Sequence, residues 1–207
     1  MSLYERYLLP YLIDLACSSK SVLHQRKKVV PLAEGRVLEV GMGSGININF
    51  YDPKKVDLVW GLEPSAGMRR KAMDKIKQAP FEVRLLDASG EDIPLEANSV
   101  DTVLLTYTLC TIPNWQQAME QMRRVLKPSG KLIFCEHGEA PDENIRKWQA
   151  RINPFWKMIA GGCNLNRPIP DCLTQSGFRI ESMNSMYLPA TPKIAGFNYW
   201  GIGKIEK

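Results

Sequence analysis

Residues 36–45, Arg-Val-Leu-Glu-Val-Gly-Met-Gly-Ser-Gly, constrain this chain more than any other stretch. Val37, Leu38 and Val40 form the short apolar run expected of a buried parallel strand. Glu39 sits inside that run. Gly41, Gly43 and Gly45 follow at alternate positions, which lets the backbone turn sharply and approach a ligand closely. A strand ending this way opens a nucleotide-type site. The pattern departs from the dinucleotide G-x-G-x-x-G, because the third glycine comes only two residues after the second and position 46 is Ile. It also lacks the Gly-Lys-Ser/Thr of a phosphate loop. Taken alone, it also fits a plain strand-to-helix turn.

The second apolar run, 56–62, ends at Glu63-Pro64-Ser65, 18 residues after Gly45. A carboxylate at that strand tip can accept both hydroxyls of a ribose through charge-assisted hydrogen bonds. A third run, 82–86, ends at Asp87-Ala88-Ser89. It is followed by Asp92-Ile93-Pro94-Leu95-Glu96-Ala97-Asn98-Ser99-Val100-Asp101 and a fourth strand, 102–106.

These four segments, in this order and spacing, resemble the class I S-adenosylmethionine-dependent methyltransferases, of the small-molecule group that includes the ubiquinone and menaquinone enzymes. The resemblance covers residues 30–137. It implies an α/β fold: a Rossmann-like sheet of seven strands with helices on both faces and an N-terminal helical lid. It implies S-adenosyl-L-methionine as cofactor, held by Glu39, Gly41, Gly43, Gly45, Glu63 and Pro64. Asp87 and Ala88 would flank the adenine, and Thr106 would lie beside the methionine part. Met68, in the first turn of a helix over 66–78, suits packing on the adenine or ordinary core packing.

Composition is that of an ordinary globular protein, 44% hydrophobic and 24% charged, and the chain is read as one domain over 1–207. Within it we expect an N-terminal cap (1–33), a cofactor-binding core (34–137) and acceptor-side helices with closing strands (138–207). No apolar run approaches the roughly 20 residues that span a bilayer. Five cysteines, an odd count without C-x-x-C or a histidine at metal spacing, suggest reduced thiols, a cytoplasmic setting and no metal site. Two basic clusters, 69–71 and 123–124, read as solvated helix faces. The Asn/Asp-Pro-Pro-Tyr/Phe loop of base-methylating enzymes is missing after strand four, so no nucleic-acid partner is expected.

The acceptor half is less explicit. Residues 2–17 read as an aromatic-rich helix, either a lid or a peripheral membrane contact. A first crossover helix should begin at 46–51, its positive end facing the cofactor's carboxylate. Pro128-Ser129-Gly130 reads as a turn into strand five, which ends at Glu136-His137. His137 falls at the carboxyl edge, where ligands of such folds bind, and is the candidate catalytic proton acceptor. Tyr7, Tyr11, Trp148, Phe155 and Trp156 are candidate apolar walls of a substrate pocket. The segment 161–167, Gly-Gly-Cys-Asn-Leu-Asn-Arg, is similar to the small membrane-associated alkyl-thiol methyltransferases. That narrower resemblance implies Cys163, Asn164 and Arg167 beside the acceptor. The expected partner is a small-molecule acceptor: thiol, amine or phenol. A phospholipid or quinone acceptor at a membrane surface, and a non-catalytic S-adenosylmethionine-binding module, are the alternatives.

Overall fold

The computed structural model describes residues 8–206. Tyr4 and Tyr7, expected on the first helix, lie outside the described residues. Seven strands form one sheet: β1 Gly35–Val40, β2 Val56–Leu62, β3 Glu82–Leu86, β4 Val100–Thr106, β5 Leu126–His137, β6 Phe178–Tyr187 and β7 Phe197–Ile205. Their spatial order is β3-β2-β1-β4-β5-β7-β6. β7 alone runs opposite to the other six strands. The strand order reverses at β1, so β1 and β4 diverge to opposite sides and open a crevice at their carboxyl ends.

Side chains alternate across β1, and the two faces recruit different layers. Leu38 and Val40 join Val103, Leu105, Leu132 and Phe134 beneath α4 (Trp115–Val125) and α6 (Ile169–Gln175). Val37 joins Val59, Leu104 and Ile133 under Val29 and Val30 at the end of α2 (Lys20–Val29). The central strands are apolar on both faces because both are covered. β6 lies at the sheet edge with Glu181, Ser182, Asn184 and Ser185 exposed, and a register shift between Ile180 and Ser182 roughens it against pairing with another chain.

Two local expectations are corrected. The first crossover is a five-residue 3-10 helix, Ile46–Phe50, instead of an α-helix. Pro53 and the turn in which Lys55 N donates to Asp52 O stop it. The Pro128–Gly130 turn is absorbed into β5 as an irregularity opposite Asp101, which has no strand partner between Val100 and Thr102. Gly130 is needed there, because a Cβ would lie 2.8 Å from Asp101 O.

α5 (Glu143–Ile159) docks through one polar residue. Gln149 is fully buried; its Oε1 accepts from Ala140 N, and its Nε2 lies 2.9–3.1 Å from the carbonyls of Gly138, Leu165 and Ile194. It joins four chain segments. Gln149→Leu is expected to lower unfolding free energy by about 2–4 kcal/mol, since several buried backbone groups lose their partner. Urea titration checks this, and a loss below about 1 kcal/mol refutes the clamp role.

Candidate functional site at the carboxyl edge of the sheet

The glycine turn is shaped by three left-handed residues, Gly41, Gly43 and Gly45, with φ between +61° and +73°. Gly41 and Gly45 are hemmed in: a Cβ would meet Thr108 at 2.4 Å or Ile48 at 3.0 Å. Gly43 differs, because its Cβ would meet only the Met68 methyl at 3.4 Å. That side of the turn is open to a ligand.

Glu63, at the tip of β2, is 8% exposed. One carboxylate oxygen accepts from Gly43 N and the other from Ser65 N, both at 2.9 Å. Burial raises its pKa, and the two N–H donors and Arg69 oppose that rise. Each oxygen keeps a lone pair for a further donor. Arg69, from α3 (Ala66–Lys77), grips Asp87 through two 2.6 Å bonds and also donates to Glu63 O. Pro64 is exposed, Met68 and Ala88 are half-buried, and Ser65 caps α3 by accepting from Met68 N. The solvated-face reading of the basic clusters holds for Arg70, Arg123 and Arg124, which are exposed, and is corrected at Arg69, a half-buried clamp; Arg124 also donates to the carbonyls of Ile93 and Leu95.

Glu39 does not reach the ligand crevice as a free carboxylate. It accepts from Asn47 Nδ2 at 2.9 Å and from the Tyr51 hydroxyl at 2.7 Å. Asn47 Nδ2 also donates to Thr106 Oγ1, and Arg26 donates to both Asn47 and Thr106 at 2.7–2.8 Å. Arg26 is 5% exposed, lies over the Tyr107 ring, and keeps a buried Nε without a partner. Sequence reasoning overlooked Arg26, Asn47 and Tyr51; the alternation of Arg26-Gln25 with Lys27 and Lys28 around one helix was the available signal.

The lid joins this network from above. α1 (Leu9–Cys17) presents Asp14, whose carboxylate accepts from the Ser44 hydroxyl and pairs with Lys71 at 3.5 Å. Tyr11 is 65% exposed with the Lys71 ammonium 3.7 Å over its ring. It therefore covers α3 and does not line an interior wall.

The second half of the site follows β4. Glu136, fully buried on β5, accepts from Thr108 N at 2.8 and 3.0 Å and fixes the loop that follows β4. Asn164 donates from its backbone and its side chain to Cys110 O, at 2.9 and 2.8 Å. Arg167 donates to Ile112 O at 3.0 Å, and its Nε is buried without a partner. These two residues strap the 161–167 segment onto the β4 loop instead of facing an acceptor freely. They bring Cys163 to Cys110, and Cys163 Sγ lies 3.2 Å from His137 Nε2. Cys110 donates to the Cys163 sulfur and, together with His137, holds its pKa well below the ordinary thiol value, while burial opposes. The Cys110 thiol is pushed up by that hydrogen bond and by burial. Burial pulls His137 down, but Cys163 and then Glu136 outweigh it, so its net shift is upward. Trp156 is half-buried near this sulfur, whereas Trp148 is 55% exposed with Arg151 over its ring.

Burial raises Glu39 and Glu136 to about 7 each, from an ordinary value of 4.5. A carboxyl whose folded pKa is raised binds protons more readily when folded, so its stabilisation is full below about 4.5 and is lost as pH climbs to about 7. Tyr51, Asn47 and Arg26 face Glu39 and limit the rise. Unfolding free energy should therefore fall between pH 5 and 7, by up to about 1.4 kcal/mol per unit for each group. Glu39→Gln is expected to remove about half of that decline; an unchanged slope in urea titrations across this range contradicts the assignment.

A sequence family described as a methyltransferase domain matches residues 38–134. Thiol S-methyltransferase TMT1B of Homo sapiens is 33% identical over 191 residues, covering 86% of this chain and 77% of that protein. Its Rattus norvegicus counterpart is 35% identical over 174 residues, covering 79% and 70%. A SAM-dependent methyltransferase from Leishmania major superposes with a TM-score of 0.71 at 16% identity, over 97% of this chain and 80% of that one. Geranyl diphosphate methyltransferase in complex with SAM gives 0.69 at 12% identity, over 99% and 91%. The structural likenesses carry the fold, and the sequence identities carry the family. An open glycine turn facing a buried, half-satisfied carboxylate fits an adenosine ribose, and with these relatives the chain belongs to the class I S-adenosylmethionine-dependent methyltransferases.

Proposed function

We propose that this enzyme methylates the sulfur of a small, apolar thiol. The observation that carries the reading is the Cys110–His137–Cys163 cluster at the carboxyl edge of β4 and β5, the edge at which ligands of this fold bind. It is a soft, polarisable site. The nearby carboxylate of Glu136 is committed to Thr108 N and is not offered as a base for an amine or phenol. The two relatives compared above, 33% and 35% identical, carry the name thiol S-methyltransferase, which supports the same acceptor.

S-adenosylmethionine supplies a methyl on a positively charged sulfur, already activated as a leaving group. The residues around it bind and orient. Glu63 accepts the ribose hydroxyls, Gly43 lets the backbone come close, and Met68, Asp87 and Ala88 border the adenine. Thr106 and Arg26 border the methionine part, and Arg26 supplies the positive charge that a five-residue 3-10 helix does not. Alignment of the reactants alone is worth about 7–11 kcal/mol of barrier. His137 stands at the acceptor edge with its Nε2 3.2 Å from Cys163 Sγ, and Trp156 lies beside the same sulfur.

A second reading concerns where the acceptor is met. Among the described residues, no helix is long and apolar enough to cross a membrane. Leu8, Tyr11, Leu12 and Leu15 are exposed at and along α1, and Phe155, Met158 and Ile159 near the end of α5. Gly161 sits against Leu9 and Ile13, so the two strips adjoin. This surface suits peripheral contact with a bilayer from which an apolar thiol partitions.

Glu63→Ala is expected to weaken S-adenosylmethionine binding by about 1.5–3 kcal/mol, the range for hydrogen bonds to a charged group. Calorimetric titration checks this, and full affinity in the variant removes the ribose assignment. For the acceptor, the purified enzyme is offered an alkyl thiol, an alkyl amine and a phenol, each with and without anionic vesicles. The expected product is the methyl thioether alone, formed faster with vesicles. Methylation of the amine or phenol without the thiol overturns the thiol reading, and vesicle-independent turnover overturns the membrane reading.

A further inference from the structure

Three potential metal-ligand side chains from three separate elements meet at the acceptor edge. Cys110 comes from the loop after β4, His137 from the end of β5, and Cys163 from the connection between α5 and α6. One ligand atom of each lies within 4.8 Å of the others, and Cys163 Sγ is 3.2 Å from His137 Nε2. A tetrahedral zinc ion, with Zn–S of about 2.3 Å and Zn–N of about 2.0–2.1 Å, sets its donor atoms roughly 3.5–3.8 Å apart. The Cys163–His137 separation of 3.2 Å and the 4.8 Å bound on all three atoms bracket that value, so side-chain shifts of about an ångström or less would complete the geometry.

We propose that Cys110, His137 and Cys163 form a binding site for a thiophilic divalent cation of the zinc type, whose open fourth position takes the acceptor thiol.

The surroundings are built to hold the cluster. Asn164 and Arg167 fix the Cys110–Ile112 backbone, and Asn153 fixes Leu165 N at 2.8 Å. Among the described residues, nothing partners the buried His137 Nδ1, so Nε2, 3.2 Å from Cys163 Sγ, is the ring nitrogen the site offers to a cation. Two sulfurs and one imidazole select a soft cation and disfavour magnesium or calcium. Three protein ligands with a free position are the arrangement of catalytic zinc sites, whereas structural sites use four. Cys110 is buried, but His137 and Cys163 are only partly so, which leaves an approach for a fourth ligand.

The inference deepens the thiol reading of the same site and rests on it for its catalytic part. A thiol binding the cation loses its proton to solvent and stays bound as thiolate. A sulfur lone pair then forms the new S–C bond while the sulfonium S–C bond breaks. Thiolate and sulfonium leave as two neutral thioethers. A neutral thioether binds the cation less strongly than a thiolate, so the fourth position is freed.

The test starts from reduced protein stripped with a chelator and titrated with Co²⁺, then with Zn²⁺ as competitor. One equivalent of Co²⁺ should produce a thiolate-to-metal charge-transfer band, bleached by Zn²⁺. Cys110→Ser, His137→Ala and Cys163→Ser should each weaken binding by more than the roughly 10–100-fold seen on losing an outer partner of a ligand. Cys172→Ala should leave binding unchanged. Cys163→Asp keeps a ligand atom and separates lost ligation from lost folding, with S-adenosylmethionine binding as the folding control. Absence of the band, or equal affinity in Cys163→Ser, overturns the site. In a second arm, thiol methylation is measured in stripped and Zn²⁺-reloaded enzyme. Turnover that survives stripping overturns the catalytic role and leaves the thiol acceptor standing. Metal binding with turnover only of amines or phenols overturns the thiol acceptor and the metal's role in it, while the metal site itself stands.

Discussion

The structure depends on one buried carboxylate. Glu39 is the penultimate residue of β1, 1% exposed, where an ionised group without partners costs several kcal/mol. Asn47 and Tyr51 satisfy it, and both come from the segment immediately after the glycine turn. The turn is therefore pinned from below by the strand it leaves. Asn47 passes the constraint on to Thr106 at the end of β4, and Arg26 closes the circuit from α2. Strand, turn, second strand and N-terminal helix are held in one hydrogen-bonded unit, and the open face of Gly43 is a consequence.

The acceptor side is organised by backbone capture. Glu136 holds Thr108 N, Asn164 and Arg167 hold the carbonyls of Cys110 and Ile112, and Gln149 holds three segments against α5. Each is a polar side chain facing main chain, a type of contact whose loss leaves a buried group unpaired. This scaffolding is why two cysteines 53 positions apart in the sequence lie side by side with a histidine from a third element.

Much of the cofactor half was legible because its signals are local. Apolar runs marked the parallel strands, Glu63-Pro64-Ser65 marked the end of β2 and the start of the next helix, and the glycines marked the turn. Misreadings arose where a short-range pattern met a long-range partner. Residues 46–50 looked like the start of an α-helix, but Asn47 is drawn to Glu39, Thr106 and Arg26, and the chain closes into a 3-10 turn. Arg69 looked solvated, but the Glu63 carbonyl and Asp87 from other elements claim it. Trp148 looked like a pocket wall, but it sits on the outer face of α5.

The sequence by itself determined the α/β alternation, the glycine turn and the carboxylate at the tip of β2, because each rests on neighbouring residues and on the twofold or 3.6-fold periodicity of their elements. The tertiary structure alone decided that Arg26 is buried, that Glu39 is spent on the fold, and that Cys110, His137 and Cys163 converge. Those outcomes are set by contacts between distant segments, and no local spacing encodes the distance across a folded sheet edge.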